Sequence, residues 1–173
     1  MRHLVFPNLE RSGNASVGSR TSRIHCTEAA NHPTESELRI LLDESDRPDR
    51  WHLAVSIPST GNPNRLEDAI EQLIALHPAL RTSFRRTTNG WIRSILPAGP
   101  VGVVEIGGPG LQAWMQQPFD LAHEYPIRFA RSSGRLIAVI HHLVADGFSL
   151  ALLARDLNHF LHGKVPSGGS LEN

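Results

Sequence analysis

The sequence predicts an α/β fold, because strand and helix periodicities occur within one chain of 173 residues. Residues 136–140 are wholly apolar and rich in β-branched side chains, which is typical of a strand buried on both faces. A helical pattern follows over 150–161, and Gly163 ends it. Alternating residues predict two further strands, at 51–57 and 127–131, so strands and helices share one domain.

The first predicted helix begins at a capping box. Thr34 lies three residues before Glu37, a spacing at which each side chain can bond to the backbone N–H of the other residue. The helix that follows covers about 35–44. Its apolar face is expected to bury Leu38, Leu41 and Leu42. The next segment, DESDRPDR at 43–50, is predicted to be a solvated charged loop.

A second helix is predicted after the strand at 51–57. Asn64 has the residue type of an N-cap, Glu67 occupies the third position after it, and Pro78 ends the pattern. Apolar residues recur along this segment at helical spacing: Leu66, Ala69, Ile70, Leu73 and Ile74.

A hairpin is predicted next. Asn89-Gly90 is a strong turn signal between strands at 84–86 and 91–96. Residues 97–110 are rich in proline and glycine and are predicted to form a connecting loop, which a short helix at 111–115 follows.

The candidate functional residues lie in IHHLVADGFSL, between the buried strand and the last helix. Since successive strand residues face opposite ways, His141 and His142 cannot both project into one site. One is expected to be structural, and the other can serve as a base, because imidazole titrates near neutrality. A lone histidine would be read more simply as a core residue. With this composition, however, His-His-x-x-x-Asp-Gly arises by chance in about one shuffled chain in five hundred.

This pattern resembles the signature of the acyltransferase superfamily that contains chloramphenicol acetyltransferase and the condensation domains of nonribosomal peptide synthetases. The resemblance implies that His142 acts on the nucleophile and that Asp146 holds the loop in shape. Gly147 would let the substrate approach the backbone, and His141 would be structural. It implies no metal and no tightly bound cofactor.

Three other segments resemble condensation domains in particular: HPALRTSF at 77–84, PFDL at 118–121 and, more weakly, TESELRILL at 34–42. On its own, Arg81 would be read as an exposed strand residue. In the family this arginine is thought to pair with the signature aspartate. The resemblance therefore predicts that an ion pair between Arg81 and Asp146 supports the site.

The resemblance also implies a fold and an activity. The fold would be a two-layer α/β sandwich, a mixed sheet with helices packed on one face, similar to a single chloramphenicol-acetyltransferase lobe. The activity would be amide formation. An acyl group on the phosphopantetheine arm of one carrier protein would pass to an aminoacyl group on another, which makes carrier proteins the expected partners.

The expected organisation is a flexible leader at 1–23, the amino-terminal lobe of a condensation domain at 24–163 and a flexible tail or linker at 164–173. Because the second lobe supplies the other wall of the site in that family, we expect little activity from this chain alone. A second lobe or self-association would then complete the site. Two alternatives stay open: a compact homo-oligomeric acyltransferase that uses coenzyme A thioesters, and a non-catalytic docking or scaffold lobe.

Composition excludes several classes of protein. The formal net charge is zero without a basic run, so the chain lacks the electrostatic pattern of a nucleic-acid binder. No window reaches the apolar length of a membrane span, and the apolar start is too short for a signal peptide. Cys26 is the single cysteine, which rules out an internal disulfide framework and fits a cytoplasmic protein. The ten histidines show no zinc-site spacing.

Overall fold

A computed structural model describes residues 32–44, 50–58 and 63–165, with the backbone alone at 63 and 64. The predicted leader, Cys26 and tail residues 166–173 lie outside these ranges. The helices are α1 (Glu35–Glu44), α2 (Pro63–Leu76), α3 (Gly108–Met115) and α4 (Gly147–Leu161). The strands are β1 (His52–Pro58), β2 (Thr82–Thr87), β3 (Gly90–Ile95), β4 (Val103–Glu105), β5 (Ile127–Ser132) and β6 (Arg135–His141). A 3₁₀ helix, Pro78–Arg81, precedes β2.

The main sheet has the strand order β1-β6-β5-β4. Strand β6 runs antiparallel to both of its neighbours, whereas β4 runs parallel to β5. Strands β2 and β3 form a separate antiparallel hairpin. This arrangement confirms the predicted α/β fold with a mixed sheet.

Strand β6 is the most deeply buried strand of the sheet. Leu136, Val139 and Ile140 are at most 1% exposed, which agrees with the continuous apolar run that predicted this strand. Helix α2 packs against α4, and α4 contacts β1. Burying one such leucine or isoleucine contributes about 1.5–3 kcal/mol, so the strand that leads into the candidate site is firmly held.

Helix α1 begins as predicted and buries Leu41 as expected, with Leu38 half-buried, but its buried face is shifted from the predicted one. The Thr34 N–H donates to Glu37 Oε2 over 2.6 Å, and the Glu37 N–H donates to Thr34 Oγ1 over 3.2 Å, which confirms the capping box. The expectation that Leu42 is buried was wrong, since its exposure is 66%. The buried face passes through Glu37 and Leu41, four residues apart, and Glu37 is held there by Arg93 (Nε to Oε1, 3.2 Å).

The bounds of α2 correct another expectation. The helix begins at Pro63, so Asn64 lies within its first turn and does not cap it. Proline suits the first helical position because its fixed φ is helical and it has no N–H to satisfy. The helix ends at Leu76, before the His77-Pro78 dipeptide, where the residue preceding proline disfavours helical geometry.

The hairpin forms as predicted, shifted by one residue. Its turn consists of Thr88 and Asn89, and Gly90 begins β3 with a φ of +114°, which favours glycine. The predicted loop at 97–110 contains one strand that its composition did not indicate. That strand is β4, only three residues long and paired with a distant part of the chain.

Candidate functional site

The signature loop, residues 141–147, joins the end of β6 to the start of α4. The two elements fix its ends in different ways. The last residue of β6, His141, pairs with His52 of β1, and Asp146 is the N-cap of α4. Leu143, Val144 and Ala145 between them are buried. The loop is therefore anchored at both ends and packed along its middle.

His141 is fully buried and hydrogen-bonded on both ring nitrogens. The backbone N–H of Leu143 donates to Nδ1 over 3.1 Å, and Nε2 lies 2.9 Å from Glu44 Oε1 at the end of α1. Because Nδ1 accepts a hydrogen bond, the proton of the neutral ring is on Nε2, which donates to the carboxylate. His141 thus ties α1 to the signature loop.

The His141 ring belongs to an aromatic cluster with His52 and Phe119. The three rings meet edge to face, with centroids 5.0 Å (His52–Phe119), 5.8 Å (His52–His141) and 5.9 Å (Phe119–His141) apart. His52 Nδ1 lies 3.1 Å from the carbonyl oxygen of Met115. Burial lowers the pKa of His52, so its ring stays neutral at neutral pH and donates to that carbonyl.

His142 has a different environment. Its backbone N–H donates to the carbonyl oxygen of Trp51 over 2.7 Å, and its ring lies edge-on to the Trp51 ring at 5.8 Å and 77°. The side chain is partly exposed, whereas His141 is not accessible at all. The two rings therefore lie in separate environments, as the sequence predicts, and His142 is the more accessible of the two.

Asp146 stabilises the start of α4. Its Oδ1 accepts hydrogen bonds from the Ser149 N–H (2.8 Å) and the Ser149 hydroxyl (2.7 Å). These two bonds lower the pKa of Asp146 below its usual value, because both favour the carboxylate. The side chain is otherwise exposed, so Asp146 acts here as an N-cap that shapes the end of the signature loop.

The predicted ion pair between Arg81 and Asp146 was wrong. Arg81 donates from Nε to the carbonyl oxygen of Ile74 over 3.1 Å and from Nη1 to that of Leu96. Carbonyl groups near the end of α2 and just after β3 thus satisfy the guanidinium, while Ser149 satisfies Asp146. Arg81 thus links α2 to the segment after β3, and among the described residues it forms no hydrogen bond or ion pair with the signature loop.

Gly147 is the first residue of α4 and is exposed. A Cβ atom placed there would have no neighbour within 4 Å, and its φ does not lie in the left-handed region. Neither packing within the described residues nor backbone conformation therefore requires glycine here. The space beside it is open for another molecule.

Sequence reasoning missed four residues that surround the two histidines: Asp43, Glu44, Trp51 and His52. The first two had been assigned to a solvated charged loop, and Trp51 and His52 had been treated as ordinary strand residues. The available signal was the pair of carboxylates at the end of a predicted helix, where they are electrostatically unfavourable.

The described residues contain neither a metal-binding cluster nor a helix that could cross a membrane. No group of three or more histidine, cysteine, aspartate or glutamate side chains lies close enough together to hold a metal ion in that part of the chain. None of the helices in the described ranges combines the length and apolar composition that a membrane crossing requires.

Comparison with known families identifies a match over most of the chain. The family model described as "Condensation domain" matches residues 40–169. The probable non-canonical nonribosomal peptide synthetase CymA of Salinispora arenicola is 37% identical over an alignment of 116 residues that covers 61% of this chain and 2% of CymA. The nonribosomal peptide synthetase aclP of Aspergillus oryzae is 33% identical over 107 residues, 60% of this chain and 6% of aclP.

Solved structures show the same fold. The starter condensation domain of rhizomide synthetase RzmA superimposes with a TM-score of 0.65 at 21% identity, covering 80% of this chain and 40% of that one. The X-domain from teicoplanin biosynthesis gives a TM-score of 0.66 at 24% identity, covering 90% of this chain and 36% of that one. The chain thus spans about two fifths of these solved structures and a few per cent of the synthetases.

Proposed function

The chain belongs to the family of condensation domains, and we propose that it acts as their amino-terminal lobe, which carries the base for amide-bond formation. The observation that carries this proposal is the contrast between the two histidines. His141 is buried and fully bonded, whereas the adjacent His142 is partly exposed beside the open start of α4. A base must be held firmly and still be reachable, and this arrangement meets both conditions.

The proposed reaction joins two carrier-bound groups. The amine of the acceptor attacks the thioester carbonyl of the donor, so a C–N bond forms and the C–S bond breaks. His142 positions the amine and takes up its proton, which then passes to the departing phosphopantetheine thiolate. Gly147 leaves room for the substrate to approach the backbone near the first N–H groups of α4, where developing negative charge is favoured.

We also propose that a second lobe completes the site. Asp146, Gly147 and Phe148 are all exposed, and Phe148 is 90% exposed although it lies next to the signature loop. An open surface of this kind cannot by itself exclude water or hold two tethered substrates in attack geometry, which contributes much of the rate in such reactions. The partners in this proposal are carrier proteins and a second condensation-domain lobe.

The test is a condensation assay with two carrier proteins, one loaded with an acyl donor and one with an aminoacyl acceptor. Product formation is followed with this chain alone, with a separately produced second lobe, and with His142→Ala in that mixture. We expect product only when both lobes are present, and a loss of about 10²–10⁴-fold in His142→Ala. His162→Ala, an exposed histidine just after α4, is the matched control and should keep full activity.

Other outcomes would contradict the proposal. Turnover by the chain alone that is lost in His142→Ala would make it a one-lobe enzyme. A stable trimer that transfers acyl groups from coenzyme A would support the compact acyltransferase. Full activity of His142→Ala in the two-lobe mixture would remove the base from the mechanism.

A further inference from the structure

The last turn of α1 carries two adjacent carboxylates, Asp43 and Glu44, and no basic residue. This placement disfavours the helix, because the carbonyl end of a helix already carries partial negative charge. Glu44 is also largely buried, with 13% of its side chain exposed, which adds a desolvation cost. Each carboxylate therefore needs compensating contacts, and each has them next to a different histidine of the signature loop.

Glu44 acts on His141 directly. Its Oε1 accepts the Nε2 proton over 2.9 Å, while the other nitrogen of the same ring, Nδ1, accepts the backbone N–H of Leu143 over 3.1 Å. The carboxylate therefore selects the tautomer that leaves Nδ1 free to hold Leu143. Since His142 lies between His141 and Leu143 in the chain, this bond network fixes the backbone on both sides of it.

Asp43 acts on His142 through Trp51. The indole Nε1–H of Trp51 donates to Asp43 Oδ2 over 3.0 Å, and the Trp51 carbonyl oxygen accepts the backbone N–H of His142 over 2.7 Å. The Trp51 ring also supports the edge of the His142 ring at 5.8 Å. Arg50 pairs with the same carboxylate oxygen at 3.3 Å and lies over the Trp51 ring at 5.3 Å, so it contacts both members of the hydrogen bond between Trp51 and Asp43.

We propose that Asp43 and Glu44 are the positioning residues of the signature loop, Glu44 through His141 and Asp43 through Trp51. Neither carboxylate touches the proposed reacting atoms. Their effect is to fix the backbone and the ring of His142 from the end of a helix that is remote in sequence. This inference rests on the proposed function for its effect on activity, whereas the positions of the rings can be measured without any assay.

The first measurement is NMR of the histidine and tryptophan rings in the full 173-residue chain. The parent should show His141 as the Nε2–H tautomer in its ring ¹⁵N shifts. In Glu44→Leu we expect tautomer exchange at His141 and a shifted His142 amide signal. Glu44→Gln keeps a hydrogen-bond acceptor, so His141 should retain its tautomer. Only the chemical shift of the His141 Hε2 proton should change.

The link from Asp43 through Trp51 to His142 is tested in the same way. Trp51→Phe keeps an aromatic ring but removes the N–H that Asp43 accepts, and it should abolish the ordered contact with the His142 ring. Asp43→Leu should shift the Trp51 indole N–H signal and have the same effect on His142. The control is Glu71→Gln, an exposed acid of α2, which should leave every ring signal in place.

The activity measurement uses the two-lobe assay described above. We expect a fall in kcat of about 10- to 100-fold for Glu44→Leu and Asp43→Leu with KM nearly unchanged, because a misplaced base slows chemistry without weakening carrier binding. Glu44→Gln should recover most of the loss. Recovery by an uncharged acceptor would distinguish positioning from a general loss of stability.

Unchanged ring and amide signals of His141 and His142 in folded Glu44→Leu and Trp51→Phe would overturn the inference. If Glu44→Leu does not fold, Glu44→Gln is the deciding variant. An unchanged chemical shift of the His141 Hε2 proton would mean that Glu44 and His141 do not pair, and a changed one would support the pair. Shifted ring signals with an inactive parent in the two-lobe assay would support the positioning role and contradict the proposed function instead.

Discussion

His77 and Asp156 form a hydrogen-bonded pair in which neither side chain is accessible: His77 Nε2 lies 3.0 Å from Asp156 Oδ2. The other carboxylate oxygen, Oδ1, accepts from Arg155 Nη2 (2.7 Å) and Nε (2.9 Å). The pair joins the segment after α2 to the middle of α4, the helix whose first turn Asp146 caps. Burial, assisted by the nearby charge of Arg155, lowers the pKa of His77, so its ring is neutral at neutral pH and donates to the carboxylate.

Removing the acceptor of this pair should destabilise the fold. We expect Asp156→Leu to lower the free energy of unfolding by about 1–3 kcal/mol, since His77 loses a buried hydrogen bond to a charged group. Urea denaturation measures the effect. Asp68→Asn, an exposed acid of α2, is the control and should stay within about 0.5 kcal/mol of the parent. An unchanged midpoint in Asp156→Leu would show that the pair contributes nothing to stability.

Stability should fall as the pH is lowered from neutral, in part because of His77. Burial lowers the pKa of His77 below its usual value of 6.5, against the opposing effect of Asp156. Below about pH 6.5 the unfolded chain therefore takes up a proton that the folded chain resists, so this contribution is complete above pH 6.5 and lost as the pH falls toward the folded value. Urea midpoints between pH 5 and 8 test the prediction.

The matched variant for that titration is His77→Gln, which should have a smaller dependence on pH over the same range. Some dependence should remain, because burial lowers the pKa of His52 in the same direction. A parent that gains stability on acidification through this range, while His77→Gln does not, would show that the ion pair with Asp156 outweighs burial.

Asp146 should act through α4 and not through Arg81. Bonds from Ser149 lower its pKa, so its contribution to stability is present above its usual pKa of 3.8 and is lost as the pH falls through the lower folded value. Asp146→Ala should therefore reduce stability at pH 7 and have no effect at strongly acidic pH. In a double-mutant cycle, Asp146→Ala and Arg81→Ala should be additive, because their side chains share no contact. A large coupling energy would restore the ion pair that the resemblance implied.

Phe148 should contribute to association with a second lobe. It is 90% exposed in the first turn of α4, and an aromatic ring left in water next to a proposed site is a natural anchor for a partner. We expect Phe148→Ser to weaken binding of the second lobe at least about tenfold, measured by calorimetry. Leu42→Ser, at a residue of α1 that is 66% exposed, is the control for a general loss of apolar surface. Equal affinities for the parent and Phe148→Ser would place the partner elsewhere.

Periodicity predicted most of the helices and strands, and it predicted that the two histidines lie in different environments. The apolar run before His141 predicted a buried strand, and strand alternation predicted that the two rings lie in different environments, which they do. The capping box of Thr34 and Glu37 located the start of α1 because its bonds are local. Interactions between residues three or four positions apart can be predicted from the sequence before the fold is known.

The remainder depends on which distant segments meet. The pairing of β4 with β5 is invisible in three residues of loop-like sequence. Arg81 and Asp146 do not pair with each other: Arg81 donates to main-chain carbonyl groups, and Asp146 accepts from Ser149. Glu44 looked like part of a solvated charged segment until the fold placed it against His141. In the cases of Arg81, Asp146 and Glu44, the partner of a polar side chain depends on the tertiary structure.

The position of β6 between β1 and β5 has a kinetic consequence. Strands β5 and β6 are joined by the two-residue turn Ser133-Gly134, so their pairing is local. The partner of His141 on the other side is His52, 89 positions earlier, and closing so long a segment is entropically costly before any contact repays it. Trp51 contacts His142 only after that closure. We therefore expect the β5–β6 pair to order first, and the geometry around His142 to form in the slowest folding phase.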